Sequence, residues 1–532
     1  MIDNAGTTKG INISVYRTRG DKKYSGVDIA RVLKKFKLNE TLKFIGELSF
    51  KILSNKGESI IKIQGVPVSD SVLAYLAMVA IENSNDYRKE SITIENIVKV
   101  TDMYFGMPDP YLTDHMFDQF LLRFGSAQFD YDRELNNITS RTILIYGDLW
   151  KKTAEARHVD IEAAMEDISG LKIEESLILA YAYFGASKHG FVRMYDPNDI
   201  KPEKDRSLFT HEKQICFLKW IACTYQQFRT ESSAKAKELP SSDYERNRFN
   251  PLVKHPVISP DCNPVPNRPQ VYLVPIPRLL LERLTRGLYF DLSDYFRGEG
   301  KENKFREAFG PVFQKYVGHL LKKSQIKGSL LPEWDYNKGQ KRTVDWILIE
   351  NDRATLIEVK QSGLFLQAKT TGELPEVRNS LRKSIAAAVR QLWSLERDIE
   401  SGKFPEIECL ANVKHIERLV ITYDRTYYSN SLLKKEALGL AHEKDNSIPD
   451  DYFWHTTSVE EFEYILGMDN LSLFDFLRTK KEDQEAKEWD FREYRARKFA
   501  EAQFLNPYLE SVKRRFLAQI DASLDEPNIS ST

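Results

Sequence analysis

Apolar residues recur at helical spacing through the first 230 residues of the chain. The segments SDSVLAYLAMVAIENS (69–84) and IEESLILAYAYFGASKHG (173–190) repeat apolar side chains every three to four positions, as a buried helix face does. A shorter segment, ESIIKIQGVPVSD, is typical of a strand and a turn. We therefore predict a mostly helical scaffold or sensor region over residues 1–230.

Prolines interrupt this pattern after residue 230. Residues 240–277 contain nine of the chain's 21 prolines. Proline lacks the backbone N–H that a regular helix or an inner strand needs. We predict that residues 231–274 form an extended linker or wrapping loop that supplies no central strand.

Alternating helix and strand patterns return from residue 275. Two helical segments precede apolar strands at 343–350 and 355–361, and a helix and the strand IERLVITYD follow them. Gly402 and Ser458 are predicted to mark the end of one helix and the start of another. We predict a multi-domain α+β and α/β protein. Its residues 275–470 form a mixed sheet flanked by helices, and residues 471–532 form a helical, charged tail.

Composition is that of an ordinary soluble globular protein. The 532 residues are 42% hydrophobic and 29% charged, with a net charge of −1 that gives no general signal for a polyanion partner. No apolar run is long enough for a membrane span, and the N-terminus lacks a signal core, so we expect a cytoplasmic protein without membrane contact. The four cysteines form no CxxC pair, and no GxxxxGK[ST] loop is present. An energy-driven step would therefore need a partner subunit.

The strands TVDWILIE and TLIEVK carry the most informative charges in the chain. They are separated by NDRA, which favours a turn. An even-length turn centred between residues 352 and 353 would set residue 350 opposite 355, and Asp345 opposite Lys360. Side chains alternate along a strand, so Glu358 and Lys360 point to the same side. This register predicts that Asp345, Glu358 and Lys360 converge on one face.

Such a trio favours metal-dependent chemistry on a phosphate group. Two nearby carboxylates repel each other, and a divalent cation removes the conflict. Mg²⁺ favours one or two carboxylates together with waters and phosphate oxygens, and we expect Mn²⁺ to substitute for it. The ion polarises the phosphoryl group, and a nearby ammonium stabilises developing charge or orients water. The alternative is a surface hairpin with an ordinary salt bridge, which the flanking Leu, Ile and Val disfavour.

Asp345 in TVDWILI and Glu358 with Lys360 in LIEVK resemble the motif of the PD-(D/E)xK, or restriction-endonuclease-like, nuclease superfamily. The resemblance covers about residues 275–465. It implies a restriction-endonuclease-like core in which Asp345 and Glu358 hold Mg²⁺ and Lys360 serves in catalysis. Val344 stands where the superfamily motif has its proline.

Members of this superfamily often add an acid from the helix before the hairpin. In FREAFGPVFQKYVGHLL the corresponding position holds Gln314, which departs from that pattern. Glu307 lies seven residues earlier, two helical turns away, and returns to nearly the same face. Either residue is a candidate to complete the site, with Glu307 slightly preferred, and a solvated helix face is the alternative for both.

The helix after the hairpin supplies further candidates. Gln391, in AAAVRQLWSL, is similar to a glutamine that lies beside the active site in the RecB-like branch of the superfamily. Arg382, Lys383 and Arg390 on the same segment are candidates to bind phosphates, or else solvated helix charges. Residues 275–425 contain 26 Lys and Arg against 21 Asp and Glu, a mild local excess of positive charge.

These features predict a Mg²⁺-dependent endonuclease that cleaves DNA. By analogy with the superfamily, it would act in restriction or bacterial antiphage defence. One alternative is cleavage of RNA by the same centre. Another is a non-catalytic subunit, with a degenerate nuclease fold, that binds nucleic acid or protein. Many superfamily members dimerise, so a homo-oligomer is expected, and a partner subunit of a defence system is a further candidate.

Overall fold

The structure is a computed structural model. It describes residues 23–54, 60–108, 135–196, 209–238, 245–246, 248–260, 270–298, 302–324, 326–361, 373–423, 431–468, 471–499 and 506–521. The N-terminal region is mainly helical, a mixed sheet lies between helices, and the C-terminal segment is helical. The predicted mixed fold class is thereby confirmed.

Helices dominate both ends of the chain. In the first 240 residues the α-helices are Gly26–Leu33, Leu38–Ser54, Asp70–Asn83, Ile94–Phe105, Leu135–Ile143, Trp150–Lys152, Ile161–Ser169, Ile173–Ala186, His211–Ile221 and Tyr225–Ala236, with a π-helix at Leu144–Leu149. The later α-helices are Arg278–Leu284, Arg286–Tyr295, Lys304–Lys323, Leu374–Lys383, Ile385–Glu400, Glu408–Ala411, Ser431–His442, Val459–Ile465, Leu473–Glu482, Phe491–Lys498 and Pro507–Asp521. Two predicted boundary residues are confirmed: Gly402 has a φ of +69° just after a helix, and Ser458 opens a capping box with Glu461.

Strands are short outside one central sheet. They are β1 Ile60–Ile63, β2 Val66–Ser69, β3 Phe191–Arg193, β4 Ala222–Thr224, β5 Val257–Ser259, β6 Val271–Leu273, β7 Ser329–Pro332, β8 Asp335–Tyr336, β9 Lys341–Arg342, β10 Trp346–Glu350, β11 Arg353–Lys360, β12 His415–Thr422 and β13 His455–Ser458. Strands β1 and β2 form a hairpin, as do β8 and β9. The strand and turn expected in ESIIKIQGVPVSD correspond to the β1–β2 hairpin.

The proline-rich segment is more than a linker. Its strands β5 and β6 occupy the two middle positions of a four-stranded sheet with the order β3-β6-β5-β4. The expectation that this segment supplies no central strand is therefore wrong. Pro256, Pro260 and Pro275 flank these three-residue strands and lie outside them, so the ladder hydrogen bonds do not need the missing N–H groups.

The central sheet has five strands in the order β13-β12-β11-β10-β7. Strands β11, β12 and β13 are parallel, and β10 runs antiparallel to both β11 and β7. Both faces are covered by helices. Trp346, Leu348 and Ile357 pack on the side of the Lys304–Lys323 helix, whereas Ile347 and Leu356 pack on the side of the Ile385–Glu400 helix. Burial on both faces explains why the strand sequences are nearly continuous apolar runs.

The hydrophobic cores group the chain differently from the predicted segments. One core joins residues between 144 and 516, so the Ile173–Ala186 helix and the C-terminal Pro507–Asp521 helix pack around the central sheet. A second core joins residues 29–107 to residues 223–279 of the four-stranded sheet. Among the helices that the structure describes, none has the length and apolar content needed to cross a membrane.

Candidate active site

The β10–β11 hairpin turns one residue earlier than predicted, which shifts every cross-strand partner by two. Its connection has only two residues, and Asn351 adopts a left-handed backbone with a φ of +64°, which asparagine tolerates. Glu350 therefore pairs with Arg353, whereas the predicted register set it opposite residue 355. The local turn chemistry moves the whole ladder by two positions.

This correction keeps the predicted face. With Trp346 opposite Ile357, Asp345 lies opposite Glu358 rather than Lys360. Because side chains alternate with a period of two, a shift of two residues changes the partner and leaves the face unchanged. The Asp345 carboxylate also accepts a hydrogen bond of 2.6 Å from the Val359 backbone N–H, which holds it against β11.

The structure brings three of the predicted side chains into direct contact. The Lys360 ammonium donates to Glu358 Oε1 at 2.6 Å and to Gln391 Oε1 at 2.8 Å. Gln391 projects from the Ile385–Glu400 helix, which covers this face of the sheet. The Asp345, Glu358, Lys360 and Gln391 side chains thus meet at the end of the sheet where β10 begins and β11 ends.

The negative charges of Asp345 and Glu358 are only partly offset by nearby positive charge and hydrogen bonds. Burial, followed by the negative charge of Glu358, holds the pKa of Asp345 well above its usual range. Burial also raises the pKa of Glu358, and the Lys360 ammonium offsets only part of this effect. Glu358 is 2% exposed, and its Oε2 atom has no hydrogen-bond partner among the described residues. A buried carboxylate oxygen without a donor is costly and calls for a cation or a water molecule.

This donor set fits a small, hard divalent cation. Mg²⁺ takes one or two carboxylates and completes its shell with waters and substrate oxygens. Within the described part of the chain, no group of three or more His, Cys, Asp or Glu side chains is placed to hold a metal. The residues that would hold the ion are therefore Asp345 and Glu358, with most of the coordination shell left to water and substrate.

Gln314 and Glu307 occupy different surroundings. Gln314 donates to Glu333 Oε2 at 3.2 Å, and its backbone carbonyl accepts from the indole of Trp346, the residue that follows Asp345, at 2.9 Å. Glu307 is exposed in the first turn of the Lys304–Lys323 helix, about 10 Å along the axis from Gln314. No contact between Glu307 and the acidic pair occurs among the described residues. The slight preference for Glu307 over Gln314 is thus not supported by the contacts.

The three basic candidates lie away from the trio's contacts. Arg382 forms an ion pair with Glu443 at 2.6 Å, and Lys383 is exposed at the end of the same helix. Arg390 is half-buried and donates at 3.4 Å to the Ala386 carbonyl of its own helix. These contacts are those of surface helix charges, and a phosphate-binding role for them stays a prediction.

Comparison of the chain with known proteins identifies no related protein. No protein-family model, curated protein or solved structure matches the chain. The superfamily resemblance therefore rests on Asp345, Glu358, Lys360 and Gln391 and on nothing outside this sequence. Any function must follow from the chemistry of the site itself.

Sequence reasoning missed two charged residues beside the acidic pair. Glu333 directly follows β7, its N–H donates to the Asp345 carbonyl at 3.0 Å, and its charge acts on both Asp345 and Glu358. Arg342 lies 3.5 Å from the Glu333 carboxylate. A sequence signal for Glu333 does exist, because an acid directly after the apolar strand SLLP mirrors the acid directly before β10.

Gly318 lets the Lys304–Lys323 helix lie directly on Trp346. A Cβ at this position would be 2.0 Å from Trp346 Cζ2. We predict that Gly318→Ala destabilises the protein by about 1–2 kcal/mol, because overpacking outweighs the helix-propensity gain. Urea denaturation measures the stability change.

Gly439→Ala is the matched control, because nothing lies within 4 Å of a Cβ at this helical position. It should stabilise the protein by up to about 1 kcal/mol. Equal effects of the two substitutions would contradict this account.

Asp398 anchors the β8–β9 hairpin to the helix that carries Gln391. Burial opposes ionisation of Asp398, but hydrogen bonds from Lys341 (2.6 Å), Lys403 and Tyr336 (2.8 Å) outweigh it and lower its pKa to about 2. This carboxylate therefore contributes stability above pH 4, and the contribution is lost as the pH falls from about 4 to 2.

Asp398→Asn should accordingly be less stable than the parent by about 1–2 kcal/mol at pH 7. The difference should shrink as the pH falls from 4 toward 2, because the parent carboxylate becomes protonated there. Unfolding free energies of both proteins at pH 7 and pH 3 measure this effect. A difference that does not change with pH would show that the ionised carboxylate is not the source of the stability.

Proposed function

We propose that this chain is a Mg²⁺-dependent endonuclease that hydrolyses DNA phosphodiester bonds. The observation that carries the proposal is the convergence of Asp345, Glu358 and Lys360 at one end of a helix-covered sheet. Two crowded carboxylates with an unsatisfied oxygen suit a divalent cation, and an ammonium beside them suits a phosphate in reaction. A purely structural salt bridge would not need the second carboxylate.

Each residue has a chemical role in this proposal. Asp345 and Glu358 would hold the ion, which when bound polarises a phosphate oxygen and activates water for attack. Lys360, 19% exposed, presents its ammonium at the mouth of the site, where it can orient water or stabilise charge on the phosphate. Glu358 and Gln391 accept two of the three Lys360 N–H groups, which orients the ammonium and leaves its third N–H for water or phosphate.

The first test is a cleavage assay with the purified chain. Supercoiled plasmid, linear DNA and RNA are each incubated with Mg²⁺, with Mn²⁺ or with EDTA. We expect cleavage of DNA that requires a divalent ion, and conversion of supercoiled to open plasmid would identify an endonuclease. Cleavage that persists in EDTA would contradict the proposal, and preferential cleavage of RNA would move it to RNA with the same centre.

A second candidate function is a non-catalytic subunit that binds nucleic acid or protein. Gln314, at the position where an acid is expected from the resemblance, and the lack of a three-ligand group in the described residues favour it. Calorimetric titration with Mn²⁺ separates the two functions. Binding that is lost in Asp345→Ala supports the nuclease, whereas no binding by the parent chain supports the non-catalytic subunit.

A role in restriction or antiphage defence extends the nuclease proposal and rests on the family resemblance alone. A homo-oligomer and a partner subunit have the same basis. Sedimentation of the purified chain measures the oligomeric state, and protection of bacteria against phage, lost in Lys360→Ala, measures the biological role.

A further inference from the structure

The chain between β7 and β10 leaves the sheet at the end that carries Asp345 and Glu358. It forms the small β8–β9 hairpin, in which Asp335 pairs with Arg342 and Tyr336 pairs with Lys341. At the base of this hairpin, the Glu333 N–H donates to the Asp345 carbonyl at 3.0 Å, and the Thr343 N–H donates to the Trp334 carbonyl at 3.1 Å. The base of the β8–β9 hairpin is therefore hydrogen-bonded to the backbone of Asp345 itself.

The two sides of the β8–β9 hairpin have different surroundings. Tyr336 and Lys341 both reach Asp398 on the Ile385–Glu400 helix, which fixes the hairpin in place. Arg342 and Asp335, on the opposite side, are 60% and 54% exposed. Cross-strand partners share a face, so the Arg342 guanidinium is presented to solvent from a hairpin that is itself anchored.

Acidic partners direct Arg342 toward the site. Its Nε atom lies 2.8 Å from Asp335 Oδ1 and 3.5 Å from Glu333 Oε1. Glu333 is in turn held by Gln314 at 3.2 Å, and the Asp345 charge also acts on Arg342. Three carboxylates at this end of the sheet would repel a polyanion, and Arg342 supplies an exposed positive charge next to them.

We propose that Arg342 binds a phosphate of the nucleic-acid strand beside the scissile bond. This inference rests on the proposed nuclease function and adds a substrate-binding residue to it. The guanidinium fork matches phosphate oxygens in a two-pronged contact, which an ammonium cannot make. Exposed ion pairs such as Arg342–Asp335 are weak, so a phosphate can compete for the same N–H groups. Gln314, by holding Glu333, keeps this arginine turned toward Asp345.

Variants of Arg342 test the proposal in two assays. In the otherwise wild-type chain, Arg342→Gln should raise KM for DNA about tenfold and change kcat less. In a Lys360→Ala background with Mg²⁺, where cleavage is slow enough for binding to be measured, the same change should weaken binding about tenfold and reduce the salt dependence of log Kd by about one ion. Arg342→Lys should keep the salt dependence and lose part of the affinity, because it retains the charge without the fork.

Arg353→Gln is the matched control. Arg353 is 38% exposed and pairs with Asp475 at 2.6 Å, but it lies at the opposite end of the same sheet, where β11 begins. It should leave KM, Kd and the salt dependence unchanged. Equal Kd values and salt dependences for Arg342→Gln and its parent would overturn the role of Arg342, while metal-dependent cleavage by the wild-type chain would leave the nuclease proposal standing. Absence of DNA binding by the wild-type chain would overturn both.

Discussion

Asp345→Asn and Lys360→Ala should each lower metal-dependent DNA cleavage by about a hundred- to a thousandfold, the scale seen when one charge-stabilising group is removed from an active site. Asp345→Asn removes one of only two carboxylates that would hold the ion. Lys360→Ala removes the ammonium that lies 2.6 Å from Glu358. Initial rates on plasmid DNA at saturating Mg²⁺ measure the effect.

The two variants should differ in metal binding. Lys360→Ala keeps both carboxylates, so Mn²⁺ binding measured by calorimetry should persist, whereas Asp345→Asn should lose most of it. The double variant should be little worse than either single variant, because residues that act on one reaction as a unit are not additive. Two multiplicative losses would contradict a shared centre.

Asp475→Asn is the control for charge removal. Asp475 is 55% exposed and pairs with Arg353 at the far end of the sheet. Its loss should leave the cleavage rate within about twofold of the parent, because surface ion pairs contribute little and this one is remote from the site. If Asp475→Asn lowers the rate as much as Asp345→Asn does, the position of the active site is wrong.

Arg141→Met should lower the free energy of unfolding by about 3–5 kcal/mol, because it leaves a carboxylate buried without its partner. Arg141 Nε and Nη2 donate to the two oxygens of Glu463 at 2.7 and 2.9 Å, and both side chains are at most 4% exposed. Tyr316 adds a third hydrogen bond to this carboxylate, at 2.7 Å. The pair joins the Leu135–Ile143 helix to the Val459–Ile465 helix within one core.

A double-mutant cycle separates the cost of an orphaned charge from the worth of the pair. Arg141→Met with Glu463→Gln should be less destabilised than the sum of the two single variants, because neither partner is left charged and unpaired. Arg31→Met is the control, since the Arg31–Asp28 pair is exposed and should change the free energy of unfolding little. Urea denaturation of the parent, the two single variants, the double variant and the control measures these effects. Additive single effects would show that Arg141 and Glu463 do not depend on each other.

The sequence by itself determined which side chains share the candidate site. Alternation with a period of two places Glu358 and Lys360 on one face whatever the turn, and an even-length turn adds Asp345 to that face. The predicted register of the β10–β11 hairpin was wrong by two residues. The observed register depends on the left-handed backbone of Asn351, a conformation that the turn sequence permits but does not require. The alternating pattern of a strand decides which face each side chain occupies, whereas the conformation of a single turn decides which residues pair across the hairpin.

Only the tertiary structure decided what surrounds these residues. Pairing of β7 with β10 places Glu333 beside Asp345, and the Arg342–Glu333 contact follows from it. Arg141 contacts Glu463 across more than 300 residues, so no local pattern reveals that pair. The strands β5 and β6 form between prolines because β3 and β4, which lie elsewhere in the chain, pair with them in the four-stranded sheet. The sequence of the proline-rich segment does not reveal these partners. The periodicity of a helix or strand depends on residues close together in the sequence. The partners of a buried charge depend on how elements that are distant in the sequence pack against each other.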